Sequence, residues 1–240
     1  MLKGERWAIM DRYQKLHCIL EENSSKEEEK LNTEKKTRDM VVMAVFIAVM
    51  MVMTVIPVLG YIPLGFMNAT IIHIPVLVGA ILLGPKKGAA LGFFFGLTSM
   101  WKNTALMPNL TSFVFTPFIP MPDGGSGGIR SVIVCMVPRI LIGVVGYYVY
   151  RAVSGPGKGR RKFALAAAGV AGSLTNTLLV MNLIYFLFGS AYGEAVPAAA
   201  ERGLYAFIVG VICLNGIPEA VLAGFLTVCI VSALQKVQSR

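Results

Sequence analysis

Six apolar stretches follow one another from residue 40 onward, separated by short segments rich in Gly, Pro and basic residues. They predict helical spans at about 40–60, 69–84, 88–101, 131–151, 163–188 and 204–234. A helix crossing ~30 Å of hydrocarbon needs ~20 residues, so the second and third are short. They are expected to tilt against longer partners or to cover part of the bilayer depth. The first 39 residues follow another pattern. Trp7, Met10, Tyr13, Leu16 and Leu20 recur at helical spacing, which predicts a short amphipathic helix. The run NSSKEEEKLNTEKK after it reads as a charged linker or as an extension of that helix. The segment lacks the basic start, apolar run and small-residue site of a signal peptide. It divides the chain into a cytoplasmic, partly helical tail (1–39) and a membrane domain (40–240) whose substrate cavity opens outward.

Composition narrows this to one class. The chain is 55% hydrophobic and 15% charged, with mean hydropathy +0.68. A soluble fold of this size would have to expose large sticky patches. The net charge of +9 first suggests a nucleic-acid footprint, but its placement says otherwise. Residues 1–39 carry nine basic and nine acidic side chains; residues 40–240 carry thirteen and four. Basic residues set between apolar spans are a topology signal. An even number of spans puts both termini on one side. With the N-terminus inside, Lys86, Lys87, Arg151, Lys158, Arg160, Arg161, Lys162, Lys236 and Arg240 lie inside, against Lys102, Arg130 and Arg202 outside. That bias makes both termini cytoplasmic. No nucleic-acid partner is expected.

Reactive chemistry is sparse. Cys18, Cys135, Cys213 and Cys229 are far apart, with no histidine at metal-ligand spacing. GPGKGRRK and GPKKGAA lack the spacing of an ATP-binding loop, and neither HExxH nor GxSxG occurs. No cofactor and no enzymatic activity are expected. Polar side chains inside the spans carry more information, because hydrocarbon burial is costly and demands a partner. Arg139 lies about eight residues into span 4, so ~12 Å from its outer end. Asn215 and Glu219 are four apart, a spacing that shares one helical face. Span 5 offers Asn176 and Asn182, which do not share a face, and span 2 opens with Asn68 and His73. Together these could line a polar cavity open to the outside. Each also has a structural alternative. Asn68 suits capping of span 2, and His73 or one of the span 5 asparagines suits interhelical bonding. Arg139 and Glu219 suit pairing with each other.

Two further features stand out. The long outer segment KNTALMPNLTSFVFTPFIPMPDGGSGGIR is rich in Pro, Gly and aromatics, and its Phe113, Phe115 and Phe118 point to a packed binding loop. Ala44 and Ala48 form an AxxxA pair in span 1, which would admit close approach of another helix, from this bundle or from a partner subunit.

Taken together, these features resemble the substrate-binding S components of energy-coupling factor (ECF) vitamin transporters. The text LGYIPLGFMNATIIHIPVLVGAILLGPKKGAALGFFFGLTS, with VPRILIGVVGYYVY, GSLTNTLLVM and LNGIPEAVLAGFL, resembles one subgroup, the one associated with pantothenate. The resemblance covers about residues 40–235; the charged tail departs from the compact family pattern. It implies an all-α, six-helix membrane bundle in a bacterial plasma membrane, with both termini cytoplasmic. It also implies capture of a small vitamin from outside. Reorientation would be driven by a scaffold subunit and two ATP-binding subunits. Ala44 and Ala48 would face the scaffold, and Arg139, Asn176, Asn182, Asn215 and Glu219 would hold the ligand, with His73 and Asn68 as neighbours. The same polar set suits a hydroxymethylpyrimidine- or pyridoxine-like ligand. An ion-driven secondary transporter and an intramembrane enzyme are the readings from other classes, but no internal repeat and no nucleophile–base pair supports them.

Overall fold

The computed structural model describes residues 2–56, 60–63, 68–196 and 203–238. Its elements are α1 (Leu2–Val55), a two-stranded ribbon β1 (Tyr61–Pro63) and β2 (Asn68–Thr70), α2 (Ile74–Leu83), α3 (Pro85–Trp101), α4 (Gly128–Val153), α5 (Lys158–Ala195), α6 (Leu204–Val211) and α7 (Ile217–Gln238). A π-helical turn, Lys102–Leu106, extends α3, and a second, Ile212–Gly216, joins α6 to α7 as one span.

The chain divides into two compact units, residues 1–42 and 43–240. In the first, the charged run is helix rather than coil: α1 continues unbroken through it. Contacts such as Lys26 Nζ to Glu22 Oε1 at 2.7 Å and His17 Nδ1 to Glu21 Oε1 at 3.3 Å link residues one turn apart, each adding a few tenths of a kcal/mol to an exposed helix.

The second unit is a helix bundle. Among the described residues, four helices are long and apolar enough to cross a membrane: Glu21–Val55, Gly128–Val153, Gly159–Ala195 and Leu204–Lys236. The shorter α2 and α3 complete the six predicted spans. Span 2 begins later than expected. Residues 68–70 pair antiparallel with 61–63, Pro63 opposite Asn68 and Tyr61 opposite Thr70. The residue at the N-cap of α2 is therefore His73, followed by Pro75, not Asn68. Pairing in the ribbon satisfies backbone groups that would otherwise be costly beside hydrocarbon. The ten residues of α2 rise only about 15 Å, half the hydrocarbon thickness.

Every residue from Ile74 to Ile81 is buried. A helix apolar on all sides belongs at the centre of a bundle, and α2 packs against α3, α4, α5 and α7. Leu77 is the pivot: a Cβ on Gly146 of α4 would lie 2.5 Å from its Cδ2, and Gly172 of α5 is equally close-packed on it. Gly84 then turns the chain with φ +97°, a conformation that favours glycine, and Pro85 opens α3.

Glycines four residues apart seat α3 on α4. A Cβ on Gly143 would lie 2.6 Å from the Gly88 carbonyl oxygen, and one on Gly92 would lie 2.7 Å from Ile140 Cα. With Gly96 above them, α3 presents a small-residue stripe that lets backbones touch. The sequence spells this as Gly88, Gly92 and Gly96, a signal as strong as the Ala44 and Ala48 pair.

Candidate functional site

The bundle gathers polar side chains at one level, beside the outer loop. Their position begins with a missing hydrogen bond. Pro138 lies inside α4 and has no N–H to give the carbonyl of Val134, four residues back. The Arg139 guanidinium takes that place, one terminal nitrogen donating to Val134 O at 2.9 Å. The other lies 3.5 Å from Ser99 Oγ on α3, and Nε has no hydrogen-bond partner. The Phe95 and Phe115 ring centroids stand 5.9 and 5.1 Å from Arg139 Cζ. Arg139 is only 7% exposed, so its cation is held by one carbonyl, a long bond to the Ser99 hydroxyl and two aromatic rings, with Nε to spare.

Glu219 enters from the first turn of α7. It is buried, and its Oε1 lies 3.5 Å from His73 Nδ1 at the mouth of α2. Neither ring nitrogen of His73 makes a hydrogen bond. Glu219 is also near enough to Arg139 for the charges to interact. Among the described residues, however, the carboxylate's close ionic partner is His73 and not Arg139, so the alternative in which Arg139 and Glu219 pair with each other is not the close contact seen.

Asn176 joins this group by helix register. Gly172 on α5 faces Leu77 of α2, and Asn176, one turn further out, continues that face towards His73, one turn before Leu77. Its Oδ1 is buried without a partner, as is Ser173 Oγ. Thr177 abuts Gly216, where a Cβ would lie 2.9 Å from the threonine methyl. Asn215 lies half-buried inside the π turn. The wider i to i+5 pitch there breaks the regular spacing that would put it over Glu219. Asn182 is not brought to the cluster: its Nδ2 donates to the Leu178 carbonyl at 2.7 Å, within its own helix. Asn68 contributes backbone to the ribbon; its side chain lies outside the described residues. Ala44 and Ala48 are both exposed on α1.

The outer segment folds back as a packed loop. The Ser131 hydroxyl donates to the Phe113 carbonyl at 2.6 Å, and the Thr104 and Thr116 hydroxyls meet at 2.6 Å. Asn109 Oδ1 accepts from the backbone N–H of Thr111 at 3.0 Å and from Ser112 Oγ at 3.1 Å. Phe113 is buried edge-on against Phe188, 5.9 Å between centroids. Phe115 covers Arg139, while Phe118 is 74% exposed. A recess of about 720 Å³ lies between this loop and the outer end of α5, lined by Pro108, Leu110, Phe113, Met121 and Glu194 among others. Its lining is mainly apolar and lacks convergent polar groups, so the buried cluster is the better candidate for recognition. Ser99, Phe95 and Ser173 escaped the sequence reading, and Phe115 was singled out there only as a loop aromatic. Only the proline before Arg139 signalled an arginine bound to its own helix.

A multi-helix bundle with a buried cation, a carboxylate–imidazole contact and unpartnered amide and hydroxyl oxygens beneath a packed outer loop has the chemistry suited to a membrane-embedded binder of a small polar solute. Comparison with known proteins agrees. Residues 38–231 match the family described as "ECF transporter, substrate-specific component", and the chain belongs to that family. It is 32% identical over 206 residues to the pantothenic acid transporter PanT of Lactococcus lactis subsp. cremoris, covering 85% of this chain and 97% of that protein. It is 28% identical over 213 residues to the pantothenate transporter PanT of Leuconostoc mesenteroides subsp. mesenteroides, covering 85% and 96%. The chain is a multi-pass bacterial membrane protein and a transport subunit, not an enzyme. Membership of this family implies work with a scaffold subunit and ATP-binding subunits.

Proposed function

We propose that this chain captures pantothenate at the outer face of the membrane and presents it to its scaffold for ATP-driven uptake. The observation that carries the reading is Arg139, buried with an unpartnered Nε and a second loosely held nitrogen. Pantothenate offers a carboxylate for that guanidinium, which can meet it through two parallel hydrogen bonds. Its hydroxyls and amide suit Asn176, Glu219, His73 and Asn215. Asn182 and Asn68 are peripheral in this reading. Residues 1–39 act as a cytoplasmic tail and residues 40–240 as the membrane domain, with the cavity open to the outside.

The test is a melting assay on purified protein with pantothenate, hydroxymethylpyrimidine and pyridoxine. Pantothenate at a hundredfold its dissociation constant is expected to add ~2.7 kcal/mol. Stabilisation by another vitamin and not by pantothenate overturns the assignment.

The scaffold contact in this reading is the α1 face bearing Ala44 and Ala48, where Val41, Val45 and Val49 are also exposed. Small residues one turn apart suit a close helix crossing. Ala44→Leu or Ala48→Leu is expected to prevent co-purification with the scaffold while leaving pantothenate binding within about twofold, since neither residue is buried in the bundle. Assembly that survives both changes moves the coupling face elsewhere.

A further inference from the structure

We infer that Phe115 is the specificity-determining residue of the site, selecting ligands that carry a carboxylate by holding its ring on Arg139. The inference rests on the pantothenate reading above.

Phe115 comes from the outer loop, not from a helix, yet it is fixed on both sides. Two residues before it, the Phe113 carbonyl accepts from Ser131 Oγ at 2.6 Å. Immediately after it, Thr116 is fully buried and bonded to Thr104 at 2.6 Å. Val114, between Phe113 and Phe115, is also fully buried. With its neighbours anchored, the Phe115 ring stands 5.1 Å from Arg139 Cζ. Phe95, at 5.9 Å, belongs to α3 and is set by the bundle itself. Phe115 is thus the part of the arginine's surroundings that the loop supplies.

A guanidinium beside aromatic faces keeps its charge while losing water. Its in-plane N–H groups are then the only outlet for that charge, and a carboxylate matches them in shape and sign. Val134 O takes one N–H, and Glu219 lies closest to His73, so Nε and the nitrogen near Ser99 remain for the ligand. A neutral alcohol at the same place leaves a dehydrated cation without a counter-charge. Replacing the ring by an aliphatic side chain removes its attraction for the cation, loosens the arginine and narrows the gap between charged and neutral ligands.

The experiment compares pantothenate with pantothenol, its alcohol analogue, by calorimetry and by displacement of labelled pantothenate from full-length protein in detergent. The variants are Phe115→Tyr, which keeps the ring, Phe115→Leu and Phe115→Met, which keep apolar bulk without it, and the exposed Phe118→Leu as control. Melting curves establish which variants are folded. Leu and Met are expected to weaken pantothenate about tenfold, the scale of one desolvated cation–π contact, with pantothenol changed less than twofold. Tyr and the Phe118 control are expected to bind like wild type. Equal losses for both ligands would show a packing role and overturn the inference, as would unchanged affinity in Leu and Met. If pantothenol displaces nothing, the ring decides: recovery with Tyr but not Met supports the inference, and recovery with Met overturns it. A wild-type protein that binds a different vitamin and not pantothenate instead removes the reading on which the inference stands.

Discussion

Arg139→Ala is expected to abolish pantothenate binding and to lower the melting temperature of the ligand-free protein as well. The two effects have separate causes. Binding is lost because the guanidinium is the only buried cation among the described residues at the site. Truncating one side of a buried, hydrogen-bonded charge pair costs about 2–5 kcal/mol, or roughly thirty- to several-thousandfold in affinity. The stability loss comes from α4 itself. Pro138 has already removed the N–H that should reach the Val134 carbonyl, and Arg139 supplies the substitute at 2.9 Å. Leaving a buried acceptor bare costs about 1–3 kcal/mol. A melting series with and without pantothenate separates the two: the ligand-free midpoint falls, and the ligand-induced rise disappears. A folded variant that still gains the full ligand shift would place the carboxylate elsewhere. Arg139→Lys keeps a charge but loses the planar fork, so it should recover part of the ligand-free stability and little of the affinity.

What could be seen from the sequence alone followed from local rules. Apolar run length gave six spans and marked the second and third as short, and the observed α2 and α3 are the short pair. The Pro138–Arg139 dipeptide sets a cation beside a helix carbonyl left without its donor, a relation the four-residue step would have shown but which the expectations above did not include. Long-range pairing was out of reach. Nothing local says that Glu219 meets His73, some 146 positions away in the chain, before it meets Arg139. Asn182 had the composition of a ligand contact but the rotamer of a residue bonded to its own helix. Asn68 was open to a ligand or a capping role because nothing in its neighbourhood announces a strand; its register partner there is Pro63. The π turn at 212–216 upset the four-residue logic linking Asn215 to Glu219. Within that turn Gly216 lies tight against Thr177 of α5, a contact no local rule announces. Phe115 was visible as an aromatic in a long loop, but its contact with the arginine depends on how that loop folds back.

Gly92→Val is expected to have the largest effect of any change outside the ligand's reach, because the glycine stripe of α3 and the arginine of α4 meet at one point. A Cβ at position 92 would collide with the Arg139 carbonyl oxygen and lie 2.7 Å from Ile140 Cα. Both are backbone atoms, so no rotamer change relieves them. Overpacking a core costs about 1–3 kcal/mol when side chains can adjust. With two helix backbones forced apart the expected loss is at or above the top of that range. The same displacement carries Arg139 away from Ser99, Phe95 and Phe115, and a shift of about 1 Å in a recognition group is enough to impair it. The protein should therefore melt early and bind pantothenate poorly, although position 92 touches no ligand. Gly210→Ala provides the contrast, because a Cβ there meets nothing within 4 Å. It should leave stability within about 0.5 kcal/mol and affinity unchanged. Melting curves and binding isotherms on the two variants decide the point. A normal midpoint for Gly92→Val would mean that α3 and α4 have room between them, and that the arginine is held by the loop and the proline alone.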